Sequence, residues 1–287
     1  MSIPTINQAA RELYLDLMKK ALTASIYDES AWAILAYTRP KLSSLINPAR
    51  FSRNFLKYLV GRMTVNRSTI IVKKWSFDET KRTEGKDFPF IGYTMVGIRR
   101  LDNIQHCLED VLTENVPGDL IETGAWRGGA TIFMRALLKA HGVTDRKVWV
   151  ADSFEGLPPA PIGANDDWDL SQNEYFKVSL EQVRANFSKF GLLDDQVGFL
   201  PGWFSETLPK APIARLAILR LDGDMYDSTM DALHHLYHKV SPGGYVIVDD
   251  YHSWASCRRA VTEFLAAHSL KPEIKTIDRD GVYWRKA

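Results

Sequence analysis

The sequence predicts an α/β protein: an open, mainly parallel sheet with helices on both faces and additional helical structure ahead of it. Three observations carry that expectation. From Asp119 onward, short apolar runs alternate with amphipathic stretches of helical spacing, as in a parallel sheet buried on both sides. Two of these runs, beginning at Leu216 and at Tyr245, end in paired acids, Asp222 with Asp224 and Asp249 with Asp250. A third, Asp119 to Thr123, runs into the glycine-rich turn Gly124-Ala-Trp-Arg-Gly-Gly129. Ligands of open α/β sheets bind outside the carboxyl ends of the strands, so turn and acids belong to one end of the molecule.

The N-terminal part reads differently. From Gln8 to Tyr27, Leu13, Leu17, Met18, Ala21 and Leu22 recur at helical spacing among Arg11, Glu12, Lys19 and Lys20, an amphipathic helix. Pro40 and Pro48 break the next stretch, and a second helix is expected near Phe51 to Met63. Trp75, Phe77, Phe88, Phe90 and Tyr93 surround a polar loop from Asp78 to Asp87. This region either covers an edge of the sheet or closes over a site as a lid; the lid reading is favoured, since appended helices and loops commonly exclude water.

The periodic part then proceeds element by element. Ile98 to Thr113 is a helix with Ile98, Leu101, Ile104, Cys107, Leu108 and Leu112 on one face. Asp119 to Thr123 is a strand, Gly128 to His141 a helix, Val148 to Asp152 a strand, and Leu180 to Phe190 a helix after a Pro- and Asp-rich connection. Val197 to Leu200 is a short strand. The two acid-tipped strands follow, separated by a helix near Thr229 to Val240 and a Ser241-Pro-Gly-Gly turn. A helix from Cys257 to His268 and a hairpin around Arg279-Asp-Gly281 end the chain.

Composition excludes several classes. The 287 residues are 45% hydrophobic, enough for a substantial core, and 36 basic residues against 35 acidic ones leave a net charge of +1. That is no electrostatic footprint for nucleic acid, so a small anionic or neutral substrate is expected. Two cysteines, Cys107 and Cys257, support neither a disulfide scaffold nor a zinc motif. With no leader pattern and no apolar run of spanning length, a soluble cytoplasmic protein without membrane contact is expected.

Four carboxylates at neighbouring strand tips repel one another unless positive charge sits among them. Oxygen ligands suit a hard divalent cation, Mg²⁺ or alternatively Mn²⁺ or Ca²⁺. Strand-end acids also cap helices, a role open to Asp250 or Asp227 singly; two pairs at successive strand ends favour the cation.

The glycine turn after Glu122 lets a ligand approach the backbone and presents free N–H groups at the following helix. It lacks the G-x-G-x-x-G dinucleotide fingerprint, which argues against a nicotinamide dehydrogenase. Glu122 would repel a pyrophosphate and favour an amine. Asp152 stands where an acid accepts from a ribose diol. Together these indicate a nucleoside cofactor with an amino group, and S-adenosylmethionine fits. Gly202 and Trp203, in Pro201-Gly-Trp-Phe204, follow the third strand; the aromatics either flank an adenine or belong to the core.

Glu122-Thr-Gly-Ala-Trp-Arg-Gly-Gly, Asp152-Ser-Phe-Glu-Gly-Leu-Pro, Leu219-Arg-Leu-Asp-Gly-Asp-Met-Tyr-Asp-Ser-Thr and Val246-Ile-Val-Asp-Asp-Tyr resemble the macrocin O-methyltransferase family over roughly Tyr93 to Ala267. These are S-adenosylmethionine- and Mg²⁺-dependent enzymes that methylate sugar hydroxyls of macrolide and aminocoumarin antibiotics. The resemblance implies a class I methyltransferase (Rossmann-like) sheet over residues 91–287, an N-terminal lid, substrate and dimer region over 1–90, and a homodimer or higher homo-oligomer. It implies metal ligation by Asp222, Asp249 and Asp250, with Asp224 as general base, although Asp224 as a fourth ligand or a structural acid stays open. It places the cofactor among Glu122, Thr123, Gly124, Trp126, Arg127, Gly128, Asp152, Ser153 and Phe154, with Tyr93, Thr94 and Met95 near its methionine end. Asp250 stands where catechol-type methyltransferases carry an Asn, which separates this chain from that group. The acceptor implied is a sugar or glycoside; a non-sugar diol, and a cofactor-binding protein without catalysis, are the alternatives. His252 is a candidate acid/base or a solvated surface group, and Arg258 and Arg259 are expected to neutralise nearby acids.

Overall fold

The alternating stretches build a seven-stranded sheet. In the computed structural model the described residues are 8–27, 32–34, 72–74, 77–159, 171 and 173–287. The main elements are α1 (Gln8–Leu22), β1 (Trp32–Ile34), β2 (Val72–Lys74), α2 (Glu79–Thr83), α3 (Ile98–Thr113), β3 (Asp119–Thr123), α4 (Gly129–Ala140), β4 (Val148–Asp152), α5 (Leu180–Lys189), β5 (Val197–Pro201), α6 (Phe204–Thr207), β6 (Leu216–Leu221), α7 (Tyr226–Leu236), β7 (Val240–Val248), α8 (Ala255–Ala267), β8 (Lys275–Thr276) and β9 (Val282–Arg285). Residues 1–26 and 79–287 form one unit and 27–78 another, in which β1 and β2 pair antiparallel. The helix expected near Phe51 to Met63, and Trp75, lie outside the described residues.

Strand order is β5-β4-β3-β6-β7-β9-β8, parallel from β5 to β7 and antiparallel at β9 and β8. The chain winds outward from β3 to β5, then crosses back to lay β6 on the other side of β3. That reversal opens a crevice between the ends of β3 and β6, the place where open α/β sheets bind ligands.

Period-2 alternation sorts strand side chains between two cores. Leu120, Val148, Val150, Ile218 and Ile247 face α1, α3, α4 and α5, whose Leu15, Leu101, Phe133 and Phe187 are buried there. Ile121, Trp149, Leu219, Val246 and Trp284 face α7 and α8, with Leu233, Leu236, Val261 and Phe264. Cys107 and Cys257 are free thiols, one in each core.

The structure corrects one expectation and shifts another. Ser241-Pro-Gly-Gly is not a turn between elements but lies inside β7. The register jumps from Leu216↔Val240 to Ile218↔Tyr245, so these residues bulge, with Gly243 at φ +83°. Their turn chemistry is spent on an irregularity rather than a reversal, because Val240 still pairs with β6. The helix expected from Thr229 begins at Tyr226, directly behind the acids.

Candidate active site

Beyond the bulge β6 and β7 pair evenly up to Leu221↔Val248, so their acid-bearing tips end side by side. Single carboxylate oxygens of Asp222, Asp249 and Asp250 all lie within 4.8 Å of one another. The backbone explains how Asp224 joins them. Its φ of +55° is a left-handed conformation that Asp tolerates better than most residues, and its carboxyl hydrogen-bonds with Asp250 and Trp254. Neither alternative capping role is realised: α7 has Met225 at its N-cap and α8 has Trp254, both without a side-chain cap.

The electrostatics follow from burial and mutual repulsion. Burial, then the charges of Asp222 and Asp249, push the Asp224 carboxyl up to about 7. Asp222 and Asp250 are also raised, burial being the largest cause in each. Asp250 Oδ2 is buried without a hydrogen-bond partner among the described residues, a state that costs roughly 1–3 kcal/mol or more for a charged group. An all-oxygen donor set holding a partnerless buried carboxylate oxygen fits a hard divalent cation.

Two guanidinium groups already serve part of this set. Arg220, fully buried near the carboxyl end of β6, donates to Glu122 on β3, to Asp222 Oδ2 at 2.7 Å, and to Asp249 Oδ1. Arg100, from α3, donates to Asp249 Oδ2, to Asp278 at 2.8 Å and to Asp280 at 3.1 Å, tying the β8–β9 connection to the site. Removing one member of such a buried network costs about 3–5 kcal/mol because it strands a charge. Sequence reasoning missed both arginines. For Arg220 a signal exists, a charged residue inside the apolar run Leu216–Leu221; for Arg100, on an amphipathic helix far away in sequence, there is none. Arg259 pairs instead with Glu263 on its own helix at 3.8 Å. His252 is exposed and its ring packs edge-on against Tyr251.

The glycine turn abuts the acids. Gly124, at φ +93°, lies so close to Asp222 that a Cβ there would overlap the Asp222 carbonyl oxygen. The Asp222 N–H donates to the Thr123 carbonyl at 2.9 Å. Glu122 is buried beside Arg220; burial raises its carboxyl to about 8, Arg220 opposes that rise, and Asp222 and Asp249 add to it. Its Oε2 has no partner among the described residues. Gly128, at φ +83°, caps α4, and Gly129 N–H donates to the Tyr93 carbonyl, bringing Tyr93 and Thr94 against that helix start, whereas the Met95 carbonyl lies beside Gly85.

A cavity of about 220 Å³ brings together Gly124, Asp152, Ser153, Trp203 and Asp222. Sequence reasoning had not singled out Pro158, Ser205 or Ser228, which also line it. Asp152 turns inward: its carboxylate accepts from the N–H groups of Ala125, Trp126 and Phe154 at 2.7, 3.2 and 2.8 Å, bracing the turn. Burial nevertheless raises its pKa. Gly202 N–H donates to the Asp152 carbonyl at 3.0 Å. Trp126 and Arg127 face away from these tips. The Trp126 indole N–H donates to the Tyr175 carbonyl at 2.8 Å, the Arg127 guanidinium lies 4.1 Å over the Trp126 ring, and Arg127 donates to the carbonyls of Phe90 and Gly92.

The doubly wound order, with β9 antiparallel beside β7 and a glycine turn at the switch point, is the class I S-adenosylmethionine-dependent methyltransferase fold. The structure of the O-methyltransferase NovP shares it, with 45% identity, a TM-score of 0.78, and coverage of 96% of this chain and 99% of that one. CalS11, the calicheamicin methyltransferase, shares the fold at 16% identity and a TM-score of 0.53, over 99% of this chain and 98% of its own. The profile of the macrocin O-methyltransferase (TylF) family matches residues 11–286, and the chain belongs to that family. Its relatives include the 8-demethyl-8-(2,3-dimethoxy-alpha-L-rhamnosyl)-tetracenomycin-C 4'-O-methyltransferase of Streptomyces olivaceus, 46% identical over 98% of this chain and 95% of that protein. The demethyldecarbamoylnovobiocin O-methyltransferase of Streptomyces niveus is also 46% identical, over 96% of this chain and 93% of its own. Among the described residues no helix is long and apolar enough to cross a membrane.

Proposed function

We propose that this chain transfers a methyl group from S-adenosylmethionine to a hydroxyl of a sugar on a glycosylated natural product, with a divalent cation, Mg²⁺ first, at the acid tips. The observation that carries the reading is the contact between the Gly124 turn and Asp222, which sets a cofactor-type turn directly against a cation-type acid set. The relatives' activities on antibiotic glycosides support the acceptor class.

In this reading Asp222, Asp249 and Asp250 hold the cation, which when bound lowers the pKa of an acceptor hydroxyl and fixes its orientation. Asp224 takes the hydroxyl proton as the oxygen attacks the methyl carbon; the C–O bond forms, the C–S bond breaks, and S-adenosylhomocysteine leaves. An ordinary Asp titrates near roughly 4, too acidic for this task; in the cation-free protein burial first, and then the charges of Asp222 and Asp249, raise Asp224 to about 7. Glu122 receives the cofactor's ammonium, Gly124 and Gly128 admit its backbone contacts, and Asp152 and Ser153 shape the nucleoside end beside Trp203. Phe88 and Phe90, exposed on the segment that leads to Tyr93, offer apolar contacts to the acceptor.

The test is methyl incorporation from labelled S-adenosylmethionine into a panel of glycosides, their aglycones and simple diols, with and without EDTA. Incorporation into glycosides that EDTA abolishes is expected. Binding of NAD in place of S-adenosylmethionine, or transfer indifferent to EDTA, would refute the reading.

A further inference from the structure

Arg220 occupies an inhospitable place for a charge, the penultimate position of a strand whose six residues are all buried. In the parallel ladder it is paired with Glu122 on β3 and with Ile247 on β7. Strand side chains alternate, so Asp222, two residues past Arg220, and Asp249, two past Ile247, project to the same face. Nη1 serves both Glu122 Oε1 and Asp222 Oδ2, and Nη2 serves Asp249 Oδ1. One guanidinium thus holds a carboxylate of the cofactor turn and two of the cation set. Its planar fork satisfies them together, which a lysine ammonium, a compact point charge on a flexible stem, does not do. At each end of this bridge a buried carboxylate oxygen, Glu122 Oε2 or Asp250 Oδ2, has no partner among the described residues. Arg220 itself is sealed from both ligand positions.

We propose that Arg220 is a positioning residue that couples the two ligand sites, fixing Glu122 for the cofactor and Asp222 with Asp249 for the cation in one register. The inference rests on the reading above that S-adenosylmethionine and a divalent cation are the ligands. A cation at Asp222 and Asp249 competes with Arg220 for their oxygens and leaves Glu122 as the guanidinium's remaining partner. A cofactor ammonium at Glu122 drives the converse shift. Each ligand therefore weakens the other, and by linkage both affinities change by the same factor.

The experiment measures the Kd for S-adenosylmethionine by calorimetry with and without saturating Mn²⁺, and the Kd for Mn²⁺ with and without the cofactor. In the wild-type protein each ligand raises the other's Kd about tenfold. Arg220→Lys keeps the charge and loses the fork, so the coupling factor falls below about three. A purely structural role for Arg220 would lower affinity along with Tm but leave the coupling factor at its wild-type value, and that result overturns the proposal. Should Arg220→Lys not fold, Glu122→Gln leaves Arg220 in place and turns it wholly toward Asp222 and Asp249, so the Kd for Mn²⁺ rises at least threefold; no change overturns the proposal. Wild-type protein that binds only one of the two ligands refutes the functional reading itself, whereas binding of both with unaltered coupling in Arg220→Lys refutes the coupling alone.

Discussion

Replacing Asp224 by Asn separates what this residue does for stability from what it does for chemistry. In the cation-free protein, burial and then the charges of Asp222 and Asp249 raise its pKa from 3.8 to about 7. The folded state therefore holds this proton more tightly than the unfolded chain, and the stability so gained is present below pH 4 and lost as pH rises through about 7. At about 1.36 kcal/mol per pH unit, the ionised carboxylate costs the cation-free protein about 4 kcal/mol at pH 8. Asn is neutral at every pH, tolerates the left-handed backbone found here, and has an amide able to donate to Asp250. With an unfolding entropy of about 2.1 cal/mol/K per residue over 287 residues, Asp224→Asn in EDTA at pH 8 should melt about 7 °C above wild type, the gap closing toward pH 4. Methyl transfer should fall at least 100-fold, with S-adenosylmethionine and Mn²⁺ still bound. Thermal denaturation across pH 4–8 and single-turnover transfer read the two effects. A variant no more stable than wild type at pH 8 would show that ionising the buried Asp224 carboxylate carries no such cost; full turnover would show that Asp224 is not the base.

EDTA should abolish transfer and excess Mg²⁺ restore it, and Asp250→Ala should raise the Kd for Mn²⁺ about 100-fold, measured by paramagnetic titration; unchanged affinity would remove Asp250 from the ligand set. Gly124→Ala places a Cβ against the Asp222 carbonyl at a positive φ, so a loss of about 3 kcal/mol or more is expected in denaturant melts, together with loss of cofactor binding by calorimetry. Trp126→Ala removes the stack on Tyr175 and the support under Arg127; amide exchange in residues 88–92 and 174–177 should quicken, and kcat/KM for the acceptor should fall more than cofactor affinity does.

Where the sequence carries a strong period, it matches the structure closely. The helix Ile98–Thr113 and the strands Asp119–Thr123 and Val148–Asp152 have the expected bounds, because long apolar faces and short β-rich runs leave little choice. Turn chemistry is less legible. Ser241-Pro-Gly-Gly has the residues of a reversal and forms a bulge, a choice made by the pairing of Val240 with Leu216 rather than by local preference. Within the glycine-rich turn, Trp126 and Arg127 carry no mark that their side chains turn outward to hold the Tyr175 segment and the strap at Phe90 and Gly92.

Residue order alone determined the alternating architecture, the chemistry available at each strand tip and the turn that faces it, since composition and period-2 or period-3.6 spacing are local properties written along the chain. Only the tertiary structure decided which charges meet. Arg220 reaches Glu122 across 98 positions and Arg100 reaches Asp249 across 149. Such partnerships depend on strand order and helix placement, and those are settled by packing two cores at once, not by any stretch of sequence taken singly.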